Sequence, residues 1–257
     1  MSTSTEAATP PALPLFYSTP EILDPARHAK LGVRPMENFN FARNSNSLPI
    51  TGLEFFDMGP HYPIVFVPGT LPTPVVVVGL GGDANLFIED NGSWTAGKPV
   101  PAYLRRYPYI LFEPEGASQL PLCIDRASEL VVEGEGQPLF ENGEPTDAAK
   151  HALQFCEAYQ QQLIGTRALS TALNEAGLLV ERKIAIGTPS GGQHEMNGFL
   201  VVDEEKFNAL PDETILDWRK KGFLAAVYAH LLSQRHWLSL AARFDAVANP
   251  AGRAINA

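Results

Sequence analysis

The segment Pro101-Ala-Tyr-Leu-Arg-Arg-Tyr-Pro-Tyr109 sets two adjacent guanidinium groups among three tyrosines and two prolines. Planar cations beside aromatic rings can clamp a carboxylate or phosphate, or hold an aromatic ligand by stacking. Read as a strand, Arg105 and Arg106 face opposite sides, one toward solvent and one inward. An inward arginine needs a carboxylate or carbonyls around it, and Asp125 or Glu113 is expected to supply them. Two readings stand side by side: a structural salt bridge, or a site for an anionic or aromatic ligand flanked by Tyr103 and Tyr107.

The candidate binding residues are His61, Tyr62, Tyr103, Arg105, Arg106, Tyr107, Asp125 and His230. His61 stands before Tyr62-Pro63 at a strand entry and either packs there or acts as a ligand or acid–base group. His230 borders an apolar helical stripe and reads as a packed, hydrogen-bonded histidine. A metal-dependent enzyme would require His61, Asp125 and His230 to converge near the arginine pair. His236 and Trp237 read as near-surface helix residues. Neither a metal nor a cofactor is expected.

Other motifs carry less. Gly79-Leu-Gly-Gly-Asp-Ala84 matches the dinucleotide pattern in form. That chemistry needs a helix N-terminus facing the pyrophosphate, and Asn91-Gly92 follows too soon, with Leu86-Phe-Ile88 reading as extended. A tight turn between strands is expected instead. There is no G-x-S-x-G, no HExxH and no phosphate loop, and Ser190-Gly-Gly reads as a loop. Cys123 and Cys156 lack CxxC spacing and read as buried free thiols of a reducing compartment.

The elements that must position these residues are read from composition and period. Of 257 residues, 45% are hydrophobic and 22 are proline, nearly twice the usual share of roughly 5%. That favours turns and irregular connections. The net charge of −10 argues against nucleic acid or anionic lipid as the main partner. No apolar run approaches the roughly 18 residues of a membrane span, and the first residues lack the charged and apolar regions of a signal peptide. A cytoplasmic location is expected.

Short β-rich runs (Ile64–Val67, Val75–Val78, Tyr107–Phe112, Leu120–Ile124, Leu130–Val132) are separated by Pro and Gly. Asn91-Gly92 predicts a type I′ hairpin, and Asn142-Gly143 another tight turn. Thr146 as N-cap, apolar residues from Ala149 to Leu163 at helical spacing and Gly177 beyond the end predict a long helix. Strands at Leu178–Ile186 and Phe199–Val202 flank a Gly-rich connection, Thr188–Asn197. A helix follows with Phe223, Leu224, Val227, Tyr228, Leu231 and Leu232 on one stripe. The fold class is α+β: a largely antiparallel, strongly turned β-sheet region, a long helix, a β-hairpin and C-terminal helices. Residues 1–14 read as a disordered leader, 15–246 as a single domain and 247–257 as a flexible tail.

At these residues the chain resembles the SapC family of bacterial proteins. The resemblance rests on His61-Tyr-Pro-Ile-Val-Phe66, Asn85-Leu-Phe87, Pro101-Ala-Tyr-Leu-Arg-Arg-Tyr-Pro108, Leu122-Cys-Ile-Asp125, Pro138-Leu-Phe140 with Gly143-Glu-Pro145, Gly198-Phe199 with Val202-Asp-Glu204, and Tyr228-Ala-His-Leu-Leu-Ser233. These run in family order from about residue 50 to 245; the polar leader before residue 50 departs from the compact family start. The resemblance implies association with surface-layer loci and with loci of TonB-dependent receptors and flavin-dependent halogenases. It carries no catalytic residues. It therefore implies a non-catalytic accessory protein with an unknown protein or peptide partner, without membrane insertion. The alternative is the enzyme described above.

Overall fold

The computed structural model describes residues 13–82, 84–113 and 120–249. The leader expected at 1–14 and the tail expected at 247–257 lie mostly outside these residues. In chain order the strands are β1 (Pro20–Ile22), β2 (Leu31–Val33), β3 (Ser47–Pro49), β4 (Ile64–Val67), β5 (Thr73–Val77), β6 (Tyr109–Leu111), β7 (Leu122–Asp125), β8 (Val131–Glu133), β9 (Gln137–Pro138), β10 (Phe140–Glu141), β11 (Glu144–Pro145), β12 (Leu179–Gly187) and β13 (Gln193–Val202). The helices are α1 (Phe55–Met58), α2 (Ala102–Arg105), α3 (Asp147–Glu175), α4 (Glu204–Asn208), α5 (Asp212–Lys221), α6 (Phe223–Ser233) and α7 (His236–Ala248). All strand pairings are antiparallel, and the fold is α+β.

The chain groups into two compact units, Met1–Pro35 with Pro108–His151, and Met36–Tyr107 with Ala152–Ala257. The first holds two three-stranded sheets, β1-β7-β6 and β8-β2-β9, and the β10-β11 hairpin. Its core gathers Leu31, Val33, Ile124, Leu139, Phe140 and Ala149. Asn142 and Gly143 both take positive φ, 53° and 82°, the type I′ geometry that matches strand twist.

The second unit is built on one five-stranded sheet, β12-β13-β4-β5-β3. The β12-β13 hairpin is longer than its sequence suggested: pairing continues to Gly187–Gln193, so the connection shrinks to residues 188–192. The β13-β4 ladder, by contrast, is a single pair, Leu200–Phe66. Helix α6 completes it. The Ile64 N–H donates to Ser233 Oγ at 3.0 Å, and the Val202 N–H to His230 Nε2 at 3.0 Å. Gln234 Nε2 donates to the Ile64 carbonyl at 2.7 Å. Side chains thus satisfy buried strand groups that a neighbouring strand would otherwise pair.

This corrects the apolar stripe expected on α6. The buried positions are Ala226, Val227, His230 and Ser233, whereas Tyr228 and Leu232 are 54% and 65% exposed. Small and polar residues face the sheet because they let the helix approach and bond the strand backbone. Trp237 is also buried rather than near the surface, stacked on Phe199 at 5.5 Å.

Helix α3 forms where its caps place it. Thr146 Oγ1 accepts from the Ala149 N–H at 3.4 Å. At the far end the Gly177 N–H bonds Asn174 O and the Leu178 N–H bonds Leu173 O, both at 3.0 Å, the paired closure of a glycine-terminated helix. Gly165 does not interrupt it.

The segment after Gly79 reverses the chain, but it does not join two strands as expected. It leaves β5 and returns through the Leu86 N–H to Val78 O bond, with no helix after it. Leu86-Phe-Ile88 is not a strand; only Ile88 bridges, to Trp94. At Asn91-Gly92 only Gly92 has positive φ, 85°, so the predicted type I′ hairpin is absent. The Gly92 N–H closes onto Glu89 O instead. A methyl at Gly79 would lie 1.9 Å from Ala84 O. Gly79→Ala is therefore expected to destabilise the chain by more than about 2 kcal/mol in urea titration; an unchanged midpoint would contradict this close backbone approach.

Candidate functional site

Pro101 begins a helical turn, not a strand. Its φ of −54° and ψ of 140° set the N-cap, and α2 runs Ala102–Arg105 with Arg106 at its C-cap. Arg105 and Arg106 therefore diverge by the turn of a helix, roughly 100° per residue, rather than by strand alternation. The expected contrast survives: Arg105 is exposed and Arg106 is 8% exposed.

The turn is held from below by Glu54. Its Oε1 accepts the Ala102 N–H at 2.7 Å, and its Oε2 accepts the Thr51 N–H at 2.8 Å and the Thr51 hydroxyl at 3.1 Å. Glu54 is itself buried, and these bonds offset the cost of placing a carboxylate there. The Gly52 N–H donates to Thr166 Oγ1 of α3 at 2.8 Å, which fixes this corner against the long helix.

Arg106 enters the space between α2 and α3. Its guanidinium carbon stands 4.4 Å from the Tyr103 ring centroid and 4.5 Å from that of Tyr159. The two rings meet edge to face at 6.4 Å. Burial raises the Tyr159 hydroxyl pKa; Arg106 pulls it down, while Glu54 and Tyr103 push it up. Burial likewise raises the Cys156 thiol to about 11, against a smaller pull from Arg106. Both groups are neutral near pH 7 and poor nucleophiles.

Arg105 turns the other way. Its Nε donates to Val100 O at 3.1 Å, and its guanidinium lies 5.4 Å from the Phe155 ring centroid. Phe155 is half-buried. An exposed planar cation on an aromatic ring is thus the outward part of the motif.

The remaining candidates serve their own surroundings. Tyr107 is buried and stacked on Phe41 at 4.3 Å. The Tyr62 hydroxyl donates to Pro99 O at 2.8 Å and accepts from Trp94 Nε1 at 3.1 Å. Asp125 belongs to the first unit, where Oδ2 and Oδ1 accept the Ser18 and Thr19 N–H groups at 3.0 and 2.7 Å. His230 is fully buried, and desolvation lowers its pKa to about 4 against a smaller opposing effect of the Ile64 carbonyl. His61 is half-buried, with Nδ1 3.5 Å from Lys98 Nζ. Burial and then Lys98 lower its pKa. Among the described residues no three His, Cys, Asp or Glu side chains are grouped to hold a metal ion. Cys123 and Cys156 are free and buried.

Glu54, Tyr159 and Phe155 were not legible as site residues. A signal for Glu54 existed in Thr51-Gly-Leu-Glu54, the capping pattern of a helical turn. Tyr159 and Cys156 sat in the predicted helix as core positions only. A groove of about 1050 Å³ beside α7, lined among others by Arg43, Asn85, Glu89 and Arg243, was also unforeseen. Its arginines are engaged: Arg243 lies 4.6 Å over the Phe87 ring and bonds Glu89 and Thr95, and Arg43 bonds the Ile88 and Glu89 carbonyls.

No helix among the described residues is long and apolar enough to cross a membrane. No curated protein and no solved structure matches the chain. The SapC family model matches residues 23–240, a span that includes every candidate residue above. The chain therefore belongs to the SapC family.

Proposed function

We propose that this chain is a non-catalytic binding protein, an accessory component of a bacterial envelope, surface-layer or TonB-linked uptake locus that acts in the cytoplasm. The observation that carries this reading is the division of labour within the arginine motif. Arg106, Tyr103, Tyr107 and Tyr62 are spent inside the fold, and Arg105 on Phe155 is presented outward. His230, the most deeply placed histidine, accepts a strand N–H through one nitrogen and is shut off from solvent. Such residues build a scaffold, and an exposed arginine–aromatic pair is a common anchor of protein interfaces.

The test is site-specific photo-crosslinking in the native host. A photoreactive residue at position 105 is expected to give a discrete adduct with an envelope or uptake protein. The same residue at position 27, exposed in the first unit, is expected to give none. Absence of any adduct at 105, together with turnover of a small molecule that His61→Ala abolishes, would replace this reading with the enzymatic one.

A further inference from the structure

A second constellation lies at the start of α7, apart from the arginine motif. His61, in the connection from α1 to β4, places Nδ1 3.5 Å from Lys98 Nζ. Lys98 comes from the loop before α2, and Arg235 and His236 begin α7. The charges of Arg235, His61 and Lys98 all act on the His236 ring. Four basic side chains from three segments thus share one neighbourhood in a chain of net charge −10.

Their partners are the informative point. Among the described residues none of the four enters an ion pair with a carboxylate. The His236 Nε2 atom is closed off from solvent and has no protein partner. Some other cations of the chain do meet carboxylates: Arg27 meets Glu21, Arg34 Glu135, Lys183 Glu195 and Arg243 Glu89. Gathering like charges without a carboxylate costs stability unless a counter-charge arrives from outside. Arg235 is exposed, and Lys98, His61 and His236 are half-buried.

We propose that His61, Lys98, Arg235 and His236 form a binding site for a tetrahedral oxyanion dianion of the sulfate or phosphate class, free or as a phosphoryl ester. Lys98 and Arg235 supply two fixed positive charges, which match a dianion. The imidazole rings add donors, and the bound anion favours their protonated forms. Both rings are held below their ordinary range, first by burial and then by their basic neighbours, so an incoming anion raises both pKa values. The site does not depend on the partner-binding reading above.

The test uses sulfate, which stays a dianion over the working range, against chloride at matched ionic strength. Ring signals of His61 and His236 in two-dimensional NMR are expected to shift saturably with sulfate, while those of His151 stay in place. Affinity by calorimetry is expected to rise from pH 8 to pH 6 as the rings protonate. Lys98→Gln and, separately, Arg235→Gln are expected to weaken binding at least tenfold with unchanged circular dichroism. Glycerol 3-phosphate binding more tightly than inorganic phosphate would assign a phosphoryl ester, and equal or weaker binding a free oxyanion. Shifts that match chloride, or affinity unchanged in both variants, would overturn the proposal.

Discussion

Arg106→Ala is expected to lower stability by about 3–5 kcal/mol in chemical denaturation, the cost of truncating a large buried side chain together with its ring contacts. The side chain stands between Tyr103 and Tyr159, so its loss opens a cavity and removes two desolvated cation–π contacts, each worth up to about 2 kcal/mol. It also leaves the buried Glu54 carboxylate in a neighbourhood with one positive charge fewer; Arg106 and Glu54 act on Tyr159 with opposite sign. Arg106→Lys is expected to recover little, because an ammonium cannot fill a slot shaped for a planar guanidinium. Arg105→Ala, on the exposed side, is expected to cost under about 0.5 kcal/mol. Equal, small losses for both variants would show that the motif is ordinary surface.

His230 carries the second large effect. Its Nε2 accepts the Val202 N–H, and the residue lies beside Phe66 with ring centroids 5.5 Å apart. His230→Ala leaves a buried N–H without an acceptor, about 1–3 kcal/mol, and adds a cavity, for a total of about 3 kcal/mol or more. The same residue makes the fold acid-sensitive. Its pKa falls from 6.5 in the unfolded chain to about 4 in the folded one. Between those values the unfolded chain binds more protons, so stability rises with pH there. The contribution is complete above pH 6.5 and is lost as pH falls toward 4, on the order of 3 kcal/mol. His230→Gln, which can still accept from Val202 but does not titrate, is expected to flatten that slope in urea midpoints measured from pH 7 to pH 4.5. A slope as steep as that of the parent would place the acid sensitivity elsewhere.

These residues also show what a sequence of this kind discloses. The long helix was legible because its signals are local: Thr146 and Gly177 act on neighbouring backbone groups, and the apolar period between them is regular. The inward and outward arginines were legible as a contrast, since one of two adjacent side chains must usually leave the core. Their helical turn was not, because Pro101 and Glu54 create it through a bond spanning 48 residues. The face of α6 was misassigned for a related reason. A hydrophobic period reports burial of apolar groups, while here His230 and Ser233 are buried to satisfy β4 and β13 backbone groups that the short ladder leaves open. The Tyr228-Ala-His-Leu-Leu-Ser233 motif thereby acquires a structural meaning. The two Asn-Gly pairs make the same point: Asn142-Gly143 turns freely between its strands, whereas Gly92 accepts the Phe39 N–H through its carbonyl and follows a different turn.

Arg105 is proposed to face a partner, while Arg106 is buried within the fold. The most direct measurement is the affinity of purified Arg105→Ala for the protein that crosslinks at position 105, with its melting temperature recorded in parallel. The account predicts at least a tenfold loss of affinity with a melting temperature within about 2 °C of the parent. Unchanged affinity, or a loss of affinity that only follows unfolding, would contradict it.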